Sequence, residues 1–140
     1  MIKPDAYPKT HLVIKIACRV AELTMAYYKE KFNRARPSQL RPELMPPVLV
    51  TGHPSYPSGH ALTAYLISNC LGSVCPGPTL TALAKLADRI AINREIAGFH
   101  YPSDTAAGRL IAEEAHRILQ NCPSFAEAVT DAKKEWADRA

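Results

Sequence analysis

Between positions 37 and 57 the chain carries six prolines, Pro37, Pro42, Pro46, Pro47, Pro54 and Pro57, together with Gly52. Proline has no amide hydrogen to donate and its ring collides with the preceding turn, so no helix interior tolerates that density. The segment must be a long loop, and the regular structure of the 140-residue chain lies on either side of it. Loops of that length within a compact domain are often functional.

On both sides of the loop, apolar residues recur at intervals of three and four. Leu12, Val13, Ile16, Ala17, Val20, Leu23, Met25 and Tyr27 predict a helix from Thr10 to Phe32. It ends before Arg36, because Pro37 disfavours helical backbone in the residue ahead of it. Ser58 to Leu71 reads as a mostly apolar, central helix with Ser58 as its cap. A turn-rich stretch from Gly72 to Pro78 leads into a third helix from Thr79, marked by Leu80, Leu83, Leu86, Ala87, Ile90, Ala91 and Ile96 and stopping near Gly98. Tyr101-Pro102-Ser103-Asp104 is a helix start, and Ala106, Ala107, Leu110, Ile111, Ala115, Ile118 and Leu119 form the apolar face that follows. Pro123 opens a fifth helix with Phe125, Ala128, Val129, Ala132 and Trp136. Pro46 to Thr51 is the one short β-like run, and no segment alternates with period two between hairpin turns. The expected class is all-α: a single-domain bundle of about five main helices over residues 1–140.

Composition narrows the function classes. With 47% apolar and 21% charged residues the chain is a globular protein, not a disordered tail. Its net charge of +4 comes from scattered lysines and arginines, so nucleic-acid binding is not implied. No apolar run reaches the ~18 to 20 residues that span a bilayer. Met1-Ile-Lys-Pro-Asp-Ala-Tyr-Pro lacks the basic-then-apolar run of a secretory signal, so a soluble chain is expected, cytoplasmic as it stands or periplasmic if a signal has been removed. Cys18, Cys70, Cys75 and Cys122 have neither C-x-x-C nor zinc-site spacing, leaving disulfides and free thiols both open.

Three groups of residues carry chemistry. Lys29 and Arg36 stand seven apart, two helical turns, so both can leave one face of the first helix and its end. Tyr56-Pro57-Ser58-Gly59-His60 opens a helix whose free amides and positive dipole end hold an anion. There Gly59 allows close backbone approach, Ser58 adds a hydroxyl, and His60 can protonate a leaving oxygen. Arg94, His100 and Asp104 put a guanidinium, an imidazole and a carboxylate around one helix-loop-helix corner. The carboxylate fixes the imidazole tautomer and frees its other nitrogen as a nucleophile, while the guanidinium grips phosphate oxygens. Taken singly, each group has a plain structural explanation: a helix end, a capped turn, a first-turn acid complementing the dipole. Together they supply what phosphoryl transfer needs without a metal.

Lys29 with six residues to Arg36-Pro37, Pro57-Ser58-Gly59-His60, and Arg94 with five residues to His100 and three more to Asp104 resemble the three-part signature of the type 2 phosphatidic acid phosphatase and vanadium haloperoxidase superfamily. Within it, Lys29-x-x-Phe32-x-Arg34-x-Arg36-Pro37 and Ser55-Tyr56-Pro57-Ser58-Gly59-His60 are most similar to bacterial class A non-specific acid phosphatases, a likeness running from about Lys29 to the C-terminus. The resemblance implies a helical bundle with the site at its mouth and hydrolysis of small phosphate esters. It gives His100 as the nucleophile that becomes a phosphohistidine, Asp104 as its orienter and His60 as the acid. Lys29, Arg36, Ser58, Gly59 and Arg94 would bind phosphate. It implies no cofactor, with vanadate as an inhibitor that mimics the five-coordinate phosphorus.

The third motif usually begins Ser-Arg; here it is Asn93-Arg94, and the amide of Asn93 is expected to donate in place of the hydroxyl. The chain is shorter than most class A enzymes and starts with little before its first helix, so N-terminal helices that cover the site are expected to be absent. Either oligomerisation is then expected to cover the exposed face, or the chain is a fragment of a longer protein. The alternatives are a vanadate-dependent haloperoxidase using the same cradle and a non-catalytic phosphate-binding relative. His11, His53 and His116 have no partners at useful spacing, Arg34 and Tyr56 are expected to stand behind the phosphate ligands, and Trp136 belongs to the core or an interface.

Overall fold

A computed structural model describes residues 4–41, 43–49, 52–75 and 77–138. Six helices follow in order: α1 (Pro8–Phe32), α2 (Pro37–Leu40), α3 (Gly59–Gly72), α4 (Gly77–Ile96), α5 (Pro102–Gln120) and α6 (Pro123–Ala137). No strand occurs among the described residues, and Pro46–Leu49, the described part of the β-like run, is irregular. The all-α single-domain bundle holds, with five main helices. One short addition interrupts the expected loop: α2 is a single turn, made possible because Pro37 sits at the first helical position, where no amide hydrogen is required. The third main helix begins two residues earlier than Thr79, at Gly77.

The apolar α3 is the axis of the bundle, packed by α1, α4 and α5, and α6 closes against α1 and α5. Val13, Ala17 and Ala21 of α1 meet Leu62, Leu66 and Cys70 of α3, with Ala112, Phe125 and Ala132 completing the core. Small residues on α1 let the two backbones approach. Several larger residues that the periodicity assigned to apolar faces stand outside: Leu23, Tyr27, Leu86, Leu110 and Ile118 are all exposed. A three-and-four repeat draws a broad stripe, and only its centre meets α3.

Two junctions position the motif end of the bundle. Asn33 closes α1 in left-handed backbone (φ 40°), returning its amide to the Lys29 carbonyl. Gly108 lies where α5 crosses the start of α3; a Cβ there would fall 2.8 Å from the Ser58 carbonyl oxygen and 3.0 Å from the Leu62 nitrogen. That close crossing lets the Ser58 amide donate to the Asp104 carbonyl at 3.0 Å. All four cysteines are free thiols, Cys70 fully buried.

Candidate active site

The three motifs converge at one end of the bundle. His100 lies in the loop between α4 and α5, and Asp104 sits in the first turn of α5, wholly buried. The α5 start is built by Tyr101 in extended backbone and Pro102 at the first helical position. One Asp104 carboxylate oxygen accepts the Tyr101 amide at 3.0 Å and faces His100 Nδ1 at 3.4 Å. The other accepts Arg34 Nη1 at 2.7 Å. With Nδ1–H committed to the carboxylate, the lone pair of Nε2 faces Arg36 Nη1 at 3.4 Å.

Arg36 and Lys29 are both buried. Helical spacing does not align them as expected, because α1 ends at Phe32 and Arg36 is in extended backbone before α2. The proline-rich loop does it instead. Arg36 Nε donates to the His53 carbonyl at 2.9 Å and Nη1 to the Phe99 carbonyl at 3.0 Å, while Lys29 Nζ and Arg36 Nη2 both donate to the Pro54 carbonyl. Ser55 ties that loop back, its amide bonding the Arg34 carbonyl at 2.8 Å and its hydroxyl the Ala35 carbonyl at 3.1 Å. Arg94, in the last turn of α4, lays its guanidinium over the Phe99 ring at 4.0 Å, and its buried Nε has no hydrogen-bond partner among the described residues.

Ser58 caps α3 as the sequence suggested, its hydroxyl oxygen accepting the Ala61 amide at 3.4 Å. Its own amide is committed to the Asp104 carbonyl, which leaves the Gly59 and His60 amides as the first of the helix. Gly59 has a second reason to lack a side chain: a Cβ would stand 2.1 Å from the Met25 sulfur of α1. Asn93 is exposed on α4, beside Leu44, Met45 and Ile96.

The charge balance follows from this geometry. Burial, and then the neighbouring Arg36 charge, push Lys29 down to about 8 against the pull of Asp104. Burial lowers His60, and the positive charges of Arg94, His100, Arg36 and Lys29 lower it further. His100 is also lowered, burial outweighing its bond to Asp104. Burial alone would raise Asp104, but hydrogen bonds from His100 and Tyr101 and the Arg34 charge prevail and hold it below the ordinary carboxylate range. Arg34 thus adds to the hydrogen bonds of His100 and Tyr101 in keeping Asp104 ionised, and it also stacks on Tyr101 at 4.0 Å. The sequence signal for it was its position between Phe32 and Arg36. Gly108 was missed altogether; a lone glycine inside a helical pattern was the available clue.

Lys29, Arg36 and Arg94, two imidazoles and the first amides of α3 thus gather around one buried carboxylate at one end of a helical bundle. The chain belongs to the PAP2 superfamily, whose sequence profile matches residues 11–124. Over 99% of its length it is 29% identical to the non-specific acid phosphatase of Salmonella typhimurium, and over 99% it is 30% identical to that of Salmonella typhi. Over 59% it is 31% identical to the non-specific acid phosphatase of Providencia stuartii. The chain spans 57% of the length of each Salmonella protein and 33% of the Providencia one. The likeness therefore begins well before Lys29.

Proposed function

We propose that this chain hydrolyses phosphomonoesters without a metal, through a phosphohistidine on His100. The observation that carries the reading is His100 itself. One ring nitrogen faces a buried carboxylate, the other opens towards Arg36, and Lys29 and Arg36 both bear on its charge. Such fixed positive charge is complementary to the three equatorial oxygens of a phosphoryl group in flight.

In the proposed sequence, His100 Nε2 attacks phosphorus as the ester P–O bond breaks, and His60 gives its proton to the departing alcohol oxygen. Water then attacks the phosphohistidine, His60 takes its proton, the P–N bond breaks, and phosphate leaves. Lys29, Arg36, Arg94, the Ser58 hydroxyl and the Gly59 amide hold the equatorial oxygens. Asp104 stabilises the imidazolium character that develops on His100. The acid phosphatases of Salmonella and Providencia support the same reading through their names.

His100→Ala is expected to lower p-nitrophenyl phosphate turnover by at least about a thousandfold, with phosphate binding retained. Turnover at the parent rate removes the proposal. The pH dependence has a definite sign. His60 must be protonated and His100 neutral, and both are lowered from 6.5 in the empty site. The kcat/KM optimum therefore lies below pH 6.5, and His60→Asn should flatten its alkaline limb.

A further inference from the structure

We infer that the leaving group is apolar, an alkyl or aryl alcohol, and lies in a trough that starts at His60 and runs down the face of α3. This rests on the reading of His60 as the acid beside the departing oxygen. The trough holds about 410 Å³ and is lined by His60, Thr63, Ala64 and Ile67 of α3, Met25 of α1 and Ile90 of α4. That volume lies within the range of small-ligand sites. Apart from His60, no lining residue is ionisable.

Its continuity with the oxyanion cluster is built into the helices. Residues four apart lie one above the other on a helix face. On α1, Lys29 stands one turn beyond Met25; on α4, Arg94 stands one turn beyond Ile90; on α3, Ala64 lies one turn below His60. Each of the three helices thus presents a charged or proton-carrying group at the mouth and an apolar side chain one turn deeper. His60, Thr63, Ala64 and Ile67 continue as one stripe for seven residues, about 10 Å. The floor is walled by α1 and α4, which both pack on α3. Met25 lies across Gly59, joining the wall to the phosphate turn. An ester whose phosphoryl group is held among the cations and whose bridging oxygen faces His60 has its carbon chain directed into this trough. An ammonium at the far end of the carbon chain would meet only apolar side chains there beyond the Thr63 hydroxyl, and no carboxylate.

The test compares n-hexyl phosphate with 6-aminohexyl phosphate, whose leaving alcohols differ only at the far end. The wild-type chain should favour hexyl phosphate in kcat/KM by about tenfold. Ile90→Asn, outside the buried core cluster, and independently Ile67→Asn should erase that preference by slowing the hexyl ester alone. Inhibition by inorganic phosphate should stay at the wild-type level. Equal rates on both esters in the wild type, an unmoved ratio in both variants, or a parallel loss on both esters would overturn the trough assignment while leaving phosphatase action standing. Hydrolysis of no phosphomonoester at all would remove the proposed function, and this inference with it.

Discussion

The two ends of α1 both bury polar groups, and they do so in opposite ways. At the N-terminal end Thr10 is fully buried. One Glu135 oxygen takes the Thr10 amide at 3.0 Å and the Thr10 hydroxyl at 2.8 Å, the other takes the Lys9 amide at 3.0 Å, and Trp136 Nε1 donates to the Thr10 hydroxyl at 3.0 Å. A carboxylate from α6 meets the positive pole of α1, so charge and hydrogen bonds close on each other. At the C-terminal end Lys29 and Arg36 are also buried, and their partners include the carbonyls of His53, Pro54 and Phe99 and, for Arg36, the His100 ring. Carbonyl dipoles orient a cation without cancelling it. Burial of polar groups is common to both ends; at the C-terminal one, positive side chains outnumber the single carboxylate, Asp104, that acts on Lys29 and Arg36.

The comparison breaks most sharply at Asp104. Arg34 donates to one of its oxygens, and Tyr101 and His100 face the other, so Asp104→Asn must aim its NH2 at a donor whichever way it turns. Turnover should fall roughly 10³- to 10⁴-fold, read from kcat on a phosphomonoester. A change within threefold would mean that Asp104 only caps α5.

Lys29→Met tests the excess charge itself. Lys29 is near 8 when folded against 10.5 when unfolded, so between those pH values the unfolded chain holds a proton that the folded one has released. Stability of the wild type should rise across that window by about 3 kcal/mol relative to the variant. Urea unfolding at pH 7.5 and 10.5 measures it. Saturating phosphate, by keeping Lys29 charged, should abolish the difference.

Gly108→Ala sharpens the comparison from the packing side. Alanine ordinarily favours a helix interior, but here the added carbon meets the Ser58 and Leu62 backbone and forces α3 from α5. A loss of about 2 kcal/mol should come with reduced turnover, since Ser58 and Asp104 separate. Glu135→Ala, at the closed end, should cost about 1 to 2 kcal/mol of stability and leave kcat unchanged. Lost activity in the folded Glu135→Ala protein would show that the two ends are coupled.

Much of this was legible in the chain. The five main helices followed from apolar spacing and proline punctuation, because both act within a few residues. His60, His100, Asp104, Lys29, Arg36 and Arg94 stand out in the chain as candidates because their motifs are local. Arg34 as the clamp on Asp104 was not legible, since its partner lies 70 residues away. Nor was the exposure of Leu23, Tyr27 and Leu110, which depends on how α1 and α5 turn towards α3.

The sequence by itself determined the helical class, the positions of the breaks and the reactive residue types, all consequences of backbone sterics and short-range periodicity. Only the tertiary structure decided which of these meet. The α3–α5 crossing at Gly108 brings Ser58 to Asp104, the proline-rich loop turns its carbonyls onto Lys29 and Arg36, and α1, α3 and α4 together leave a trough below His60. Those are contacts between residues far apart in the chain, set by packing, and no local rule encodes them.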